Sequence, residues 1–410
     1  MSIKFLFCEN KVVSLDSAIS HLNDSGIWNA FDERAVTFIN KFSSQLLKQP
    51  SINKFPDLVA LAYWFRRSSL KKLKERYIDD LSIIRVGRGI SLHIAPSNVD
   101  TIFVYSFFLS LLAGNTSFIR VSSNESPQLS IIIKVFQDLY NSGNTQVAGR
   151  FVICTYPHEN EATEIVSKTC ELRVVWGGDE TVNAISSIPL NPTALELKFP
   201  NRSSFSIISL DSLSKIDDKD LHALCSNFYK DIELFGQQAC SSPMAIFFIG
   251  SSRENDQSKR FWDFFYKVAN HHDVTPSESM DRIVAASSMA ISGIVNKASK
   301  LLTVKDIVLL NGDLSSESSF RNEHPGNGFL VQYFIPTLID LSKYISTKDQ
   351  TLSIFGFNKL EINDFIKSIA NRGIDRIVPI GQALDFSSVW DGNDLIDSMC
   401  RKIDVSKLSG

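Results

Sequence analysis

Residues 90–121 read ISLHIAPSNVDTIFVYSFFLSLLAGNTSFIRV, and the order of textures within this stretch decides the fold. A short apolar run at 90–95 leads through Pro96, Ser97 and Asn98 into a longer apolar segment over 100–113. Gly114-Asn115 closes that segment, and a second short run follows at 117–121. Short runs of this kind read as strands, and the longer segment between them as a helix. The alternation continues with a helix over 127–140, a strand at 151–155, a helix over 159–169 and a strand at 172–176; a further short run at 82–86 precedes it. Strands that are apolar throughout, rather than at every second residue, are buried on both faces. The pattern therefore predicts an α/β fold, with a mostly parallel sheet covered by helices on both sides.

Working outward, 31–47 and 56–73 carry apolar residues at three and four spacing, which predicts an N-terminal helical layer over 1–80. A nucleotide-binding α/β domain is expected over 81–210. The polar, turn-rich segment 211–220 marks a boundary to a second α/β domain over 211–385, followed by a C-terminal segment, 386–410. The second domain shows helices over 219–232, 258–270 and 277–297 and strands at 244–249, 307–310, 329–334 and 352–355. Its long polar loop, 311–328, has the length of a functional loop.

At 410 residues, 44% hydrophobic and 21% charged, the chain has the size of two or three globular domains. Lys plus Arg (42) nearly balances Asp plus Glu (45), and no block of like charge offers the basic footprint that nucleic acid requires. The most apolar stretch, 101–113, contains Ser106 and Ser110 and falls short of the roughly 20 residues that cross a bilayer, so it reads as a core helix without a membrane span. The first residues show no small-residue cleavage site, which predicts a cytoplasmic protein. Six cysteines without a Cys-x-x-Cys pair suit neither a disulfide framework nor a zinc site, and no metal is expected.

Four segments carry residues suited to chemistry. His93-Ile94-Ala95-Pro96-Ser97-Asn98-Val99 lies where a strand gives way to a helix, the place where open α/β sheets bind ligands. The Asn98 carboxamide there suits an oxyanion donor, although a helix cap accounts for Ser97 or Asn98 equally well, and His93 reads as a core histidine. Arg120-Val121-Ser122-Ser123 offers a fixed cation and hydroxyls ahead of a helix, suited to a phosphate or to simple capping. Trp176-Gly177-Gly178-Asp179 brings paired glycines to another strand end, without the G-x-G-x-x-G fingerprint. Phe235-Gly236-Gln237-Gln238-Ala239-Cys240-Ser241-Ser242-Pro243 surrounds a cysteine with small neighbours, leaving room for a substrate to reach sulfur; the plain alternative is a buried hydrophobe. The elbow G-x-S-x-G, the zinc motif H-E-x-x-H and the P-loop are all missing from the sequence.

Taken in this order, the His93–Val99 block with Ala113-Gly114-Asn115, the block Val175-Trp176-Gly177-Gly178-Asp179-Glu180-Thr181 and the cysteine block resemble the aldehyde dehydrogenase superfamily. They are most similar to its acyl-CoA reductase (LuxC-type) family, as is the late block running from Asp375-Arg376-Ile377-Val378-Pro379 to Asp385, with Trp390-Asp391-Gly392. The resemblance implies an aldehyde dehydrogenase-like fold with cofactor-binding and catalytic α/β domains, both doubly wound. It implies Cys240 as nucleophile and Asn98 as oxyanion donor beside the Cys240 N–H. It also places a nicotinamide dinucleotide against Pro96, Ser97, Arg120, Ser122, Gly177, Gly178 and Asp179. Arg120 stands where the superfamily has a lysine, and with its serines it points to NADPH. Glu196-Leu197-Lys198-Phe199 stands where the superfamily has Glu-Leu-Gly-Gly, whose glutamate activates water. Ser353-Ile354-Phe355-Gly356 stands where it has Glu-Ile-Phe-Gly.

The implied activity is reduction of an acyl thioester, most simply a long-chain one, to the aldehyde through a Cys240 acyl-enzyme. The acyl donor would be acyl-CoA, an acyl carrier protein or an acyl-protein synthetase, and the protein a homo-oligomer. A cysteine-dependent acyltransferase or thioesterase, or an acyl-carrying subunit of a fatty-acid reductase complex, remains the alternative. The phenylalanines, 29 in all, could line an acyl tunnel or simply fill the cores.

Overall fold

The computed structural model describes every residue except 1–2, 79–81, 97–98, 158–160, 251–255, 270–274, 296–301, 305–306, 316–319, 323, 370–371 and 408–410. It divides the chain into two compact units, Met1–Asn201 with Phe386–Gly410, and Arg202–Asp385.

The strands of the first unit are Lys4–Phe7 (β1), Ile83–Gly87 (β2), Ile90–Ile94 (β3), Thr116–Arg120 (β4), Phe151–Thr155 (β5), Leu172–Trp176 (β6) and Leu195–Phe199 (β7). Six of them form one sheet in the order β1-β5-β4-β3-β6-β7, parallel except for the edge strand β1. Every residue of β3, β4 and β6 is buried, the burial that their unbroken apolar texture implies. Ile90, Leu92, Ile94, Phe118, Val152 and Val175 pack on one face with Ala18 and Leu22 of the helix Leu15–Asp24. Elsewhere in this unit phenylalanines pack ring on ring, Phe107 against Phe151 at 4.5 Å and Phe42 against Phe136 at 4.6 Å, so these rings are core.

His93 is held in the same interior. Its Nδ1 pairs with Ser106 Oγ at 2.8 Å and its Nε2 with Ser91 Oγ at 2.9 Å, while burial lowers its pKa to about 3. The network continues from Ser106 to the Trp176 indole and from Ser91 to Ser110 and Ser117. A neutral, satisfied imidazole of this kind is structural.

Two expectations change. The run 82–86 is outside the main sheet: β2 pairs antiparallel with Cys400–Asp404 in a separate two-stranded ribbon. Its side chains are mostly part-exposed, unlike those of a doubly covered strand. The seam after residue 210 moves to Asn201/Arg202, because Ser203–Ser209 (β8) belongs to the second unit. The sequence reading passed over that strand, whose serines, four in seven residues, mask full burial.

The second unit adds Pro243–Ile249 (β9), Leu302–Val304 (β10), Ile307–Asn311 (β11), Phe329–Ile335 (β12), Asp349–Phe355 (β13) and Arg376–Pro379 (β14). The sheet order is β10-β11-β12-β9-β8-β13-β14, parallel except for β10. The helices Pro276–Ile291 and Lys359–Ile369 contribute to one core cluster, and Asp218–Glu233 and Asp256–Val268 to another.

Buried charge in this unit is specifically partnered. Asp349 receives Arg321 through Nε at 2.6 Å and Nη2 at 2.7 Å. Asp231, fully buried, accepts the N–H groups of Gly381 (2.7 Å) and Ala383 (3.0 Å), which pins the late sequence block to the helix Asp218–Glu233. Burial pushes the Asp231 carboxyl up to about 7 from an ordinary 3.8. The native state therefore binds this proton more tightly than the unfolded chain, a stabilisation present below pH 3.8 and lost as pH rises through 7. The unfolding free energy of wild type minus that of Asp231→Asn is expected to fall by up to about 1.4 kcal/mol per pH unit between these limits and to level off outside them, as read by urea denaturation across pH.

Candidate active site

In the second unit the cysteine block lies at the amino ends of central strands. The helix Asp218–Glu233 runs out at Leu234, and Phe235, Gly236 and Gln237 follow with φ of 64°, 55° and 60°. Two of these three left-handed residues carry side chains, at a cost of about 1–2 kcal/mol each. The buried Gln237 carboxamide holds the turn. Its Nε2 donates to the carbonyls of Pro243 (2.7 Å) and Phe329 (2.9 Å), and its Oε1 accepts the N–H groups of Gly328 (2.9 Å) and Phe329 (3.1 Å). All four polar valences of the amide are met, and at about 1 kcal/mol per bond they offset the strain.

A second left-handed run meets the first. Gly326, Asn327 and Gly328 have φ of 76°, 53° and 75°, and the Asn327 N–H donates to the Gly236 carbonyl at 2.9 Å. Gln238 Nε2 donates to the Pro325 carbonyl at 3.1 Å. His324 closes this turn: its Nδ1 accepts the Gly326 N–H at 3.1 Å, which leaves Nε2 to donate to the Phe329 carbonyl at 2.6 Å. Burial lowers its pKa to about 4, so the ring is neutral at ordinary pH. The long polar loop of the sequence thus ends as a buttress for the cysteine turn.

Cys240 sits midway between Gln237 and Pro243. Its carbonyl accepts the Ser204 hydroxyl at 2.7 Å, Ser204 Oγ accepts the Thr351 N–H at 3.1 Å, and the Ser242 N–H closes a turn on the Ala239 carbonyl at 2.9 Å. The residue is part-exposed and carries no disulfide. Cys154, Cys170, Cys225 and Cys400 are buried, and burial pushes their thiols up, to about 12 for the last three and further for Cys154. Cys8 is part-exposed, but burial raises its thiol as well. Since the thiolate is the reactive form, those five are poor nucleophiles.

In the first unit the strand order reverses between β3 and β6, so the segments leaving their carboxyl ends flank the topological switch point where doubly wound sheets bind ligands. Pro96 follows β3; Gly177, Gly178 and Asp179 follow β6. Ser97 and Asn98 lie outside the described residues. The helix Asp179–Ser186 begins at Gly178 without a side-chain cap, leaving backbone donors at its start, and a Cβ on Gly178 would meet nothing nearer than 3.6 Å. A Cβ on Gly177 would come within 3.1 Å of the Thr181 side chain, so this position stays small for its own helix. Asp179 Oδ1 accepts the Asn201 N–H at 3.1 Å. Arg120 ends β4 with its Nη2 3.4 Å from the Tyr156 carbonyl and its guanidinium over the Tyr156 ring, and Ser122 Oγ accepts the Asn124 N–H at 3.2 Å. Among the described residues no cluster of His, Cys, Asp and Glu could hold a metal, and no helix is long and apolar enough to cross a membrane.

Residues 28–292 match the family model described as acyl-CoA reductase (LuxC). The chain belongs to that family. It is 24% identical over 305 residues to the long-chain acyl-protein thioester reductase of Aliivibrio fischeri and 22% identical over 310 residues to that of Photorhabdus laumondii. The two matches take in 72% and 74% of this chain but only 58% and 60% of those proteins, so the chain spans about three fifths of the length of the curated relatives it matches. Among solved structures, an NAD-dependent aldehyde dehydrogenase from Sinorhizobium meliloti superposes with a TM-score of 0.68 at 12% identity, covering 100% of this chain and 93% of that one. Aldehyde dehydrogenase 21 of Physcomitrella patens gives 0.66 at 11%, covering 99% and 96%. The chain has the aldehyde dehydrogenase fold.

Two residues that the resemblance set beside superfamily motifs have partners of their own here. Glu196 accepts Nε of the buried Arg173 at 2.7 Å, as the counter-ion of a core guanidinium. Ser353 is fully buried in β13, with its Oγ 2.6 Å from Ser206 Oγ. Sequence reasoning missed Gln237, Ser204 and His324; the signal available for the buttress was Gly326-Asn327-Gly328, three residues that tolerate left-handed backbone in a row.

Brief treatment of the native protein with iodoacetamide, followed by peptide mass spectrometry, is expected to label Cys240 at least 100-fold faster than Cys154, Cys170, Cys225 or Cys400. Glu196→Ala, which strands the Arg173 charge, is expected to lower the unfolding free energy by about 3 kcal/mol in denaturant titration.

Proposed function

We propose that this chain reduces an acyl thioester to the aldehyde through a covalent acyl-enzyme on Cys240. The observation that carries this reading is the cysteine turn itself. A part-exposed thiol stands in a backbone pinned from both sides, in a chain of the acyl-CoA reductase family whose other cysteines are deactivated by burial. The names of the relatives support a long-chain acyl thioester as substrate.

The Cys240 thiolate attacks the thioester carbonyl, a carbon–sulfur bond forms, and charge develops on the carbonyl oxygen. We assign Asn98 as the side-chain donor to that oxyanion, together with the Cys240 N–H. Collapse expels the thiolate of the donor, whether coenzyme A, an acyl carrier protein or an acyl-protein synthetase, and leaves the acyl group on Cys240. A nicotinamide dinucleotide supplies hydride when bound. We assign Pro96, Ser97, Gly177, Gly178 and Asp179 as the residues that would border it; the start of the helix at Gly178, with no side-chain cap and with backbone donors suited to a pyrophosphate, supports this. Arg120 and Ser122 support NADPH over NADH, an arginine being the residue suited to an additional phosphate. After reduction of the acyl carbon, Cys240 departs as thiolate and the aldehyde leaves. No activated water is needed, in keeping with Glu196 serving as the counter-ion of Arg173. The reading includes a homo-oligomer working in the cytoplasm.

NADPH consumption with a panel of acyl-CoA thioesters, with the aldehyde trapped, is expected for wild type and lost in Cys240→Ala. Asn98→Ala is expected to lower turnover about 10²–10³-fold with the fold intact. Acyl labelling of wild type without any NADPH oxidation would replace the reductase reading by an acyl-carrying one.

A further inference from the structure

The cysteine turn has a feature that nucleophilic chemistry alone does not require. Gln237 precedes Cys240 by three residues, and Pro243 follows it by three. The Gln237 side chain bonds the Pro243 carbonyl directly, at 2.7 Å, and so closes a ring of chain with the nucleophile at its midpoint. The same carboxamide grips the first residue of the neighbouring strand β12 through both the carbonyl and the N–H of Phe329, and reaches Gly328 as well. Opposite, the 324–328 turn returns a bond to the Gly236 carbonyl, and His324 donates to the Phe329 carbonyl that Gln237 also uses. The Cys240 carbonyl is meanwhile fixed by Ser204. A backbone with three successive left-handed residues keeps its shape only where its surroundings over-determine it, and this carboxamide touches both ends of the loop and the neighbouring strand.

We propose that Gln237 is a positioning residue for the nucleophile: its carboxamide, braced by the 324–328 turn, holds the 238–242 loop in the conformation in which Cys240 is acylated. It acts through the loop backbone and touches neither substrate nor cofactor. The inference deepens the reading of Cys240 as an acyl acceptor and rests on that part of it.

The test uses the 410-residue chain and p-nitrophenyl octanoate, a chromogenic ester that acylates a reactive thiol without any dinucleotide; Cys240→Ala is the blank. Gln237→Met, of similar length but without polar atoms, is expected to lower the acylation rate at least tenfold. NADPH-dependent turnover should fall in parallel, with KM for NADPH within twofold of wild type. Circular dichroism and a cooperative melt establish that the variant is folded. A folded Gln237→Met acylated within twofold of wild type overturns the inference.

Gln237→Glu provides a readout that a merely structural role would not move, and it decides the matter should the Met variant fail to fold. In its protonated form the introduced carboxyl can donate to one carbonyl and accept an N–H, as the amide does, whereas the carboxylate would face the carbonyls of Pro243 and Phe329. The acylation rate of this variant relative to wild type is therefore expected to rise at least threefold from pH 8 to pH 6. His324, the titratable group that shares the Phe329 carbonyl, is neutral over this range in wild type, where burial lowers its pKa to about 4. A flat ratio overturns the proposal. Acylation of wild type without thioester reduction defeats the reductase reading and leaves the inference to be judged on acylation rates alone; a wild type that is not acylated at Cys240 overturns both.

Discussion

The Gln237 carboxamide is the interaction on which the candidate active site depends. A buried amide with two donors and two acceptors is costly unless all are used, and here they are used on two separate pieces of chain, Pro243 and Gly328-Phe329. That full use lets Phe235 and Gln237 occupy left-handed backbone, which in turn lets the chain leave the helix Asp218–Glu233 and enter β9 with only a short loop between. Replacing the carboxamide would remove the bonds from Gln237 to Gly328 and Phe329 and leave the Asn327 N–H bond to the Gly236 carbonyl between the two left-handed runs, 235–237 and 326–328. The site is therefore made by polar satisfaction in a crowded place, with hydrophobic packing supplying the sheet underneath.

The same rule organises the rest of the interior. Several buried charges and one buried polar ring have specific partners: Arg173 has Glu196, Arg321 has Asp349, Asp231 has two backbone N–H groups, and His93 has two serines. Arg150, almost wholly buried, donates to the carbonyls of Ser25, Gly26 and Gly114 and lies 3.9 Å from the Trp28 ring centroid. Each arrangement takes a residue type that resembles machinery on paper and makes it scaffold. The two units also use their strands differently. The first offers the carboxyl ends of β3 and β6 around a switch point, whereas the second places Cys240, the proposed nucleophile, at the amino ends of β8, β9 and β12.

Local pattern was a good guide to the elements and a poorer guide to their partners. The textures of 90–94, 116–120, 151–155 and 172–176 were legible as buried strands because doubly covered strands are apolar throughout. The run 82–86 has a similar composition and pairs instead with Cys400–Asp404, a contact across more than 300 residues that no window of sequence contains. Strand β8 was missed because serines satisfied inside the protein look like solvent-facing ones. The resemblance set Glu196 beside the water-activating glutamate of the superfamily, and the structure shows its carboxylate accepting Arg173 Nε.

The α/β order, the family and the candidate nucleophile were already present in the residues read in order, since these reside in local periodicity and in short motifs such as Gln238-Ala239-Cys240. It took the folded chain to show which cysteines are silenced by burial, which glutamate is spent as a counter-ion, and that Gln237 and the 324–328 turn brace the cysteine loop. The physical reason is range. Periodicity and turn propensity act over a few neighbouring residues, whereas desolvation, ion pairing and the satisfaction of a buried amide depend on groups that the chain brings together from some 90 residues away.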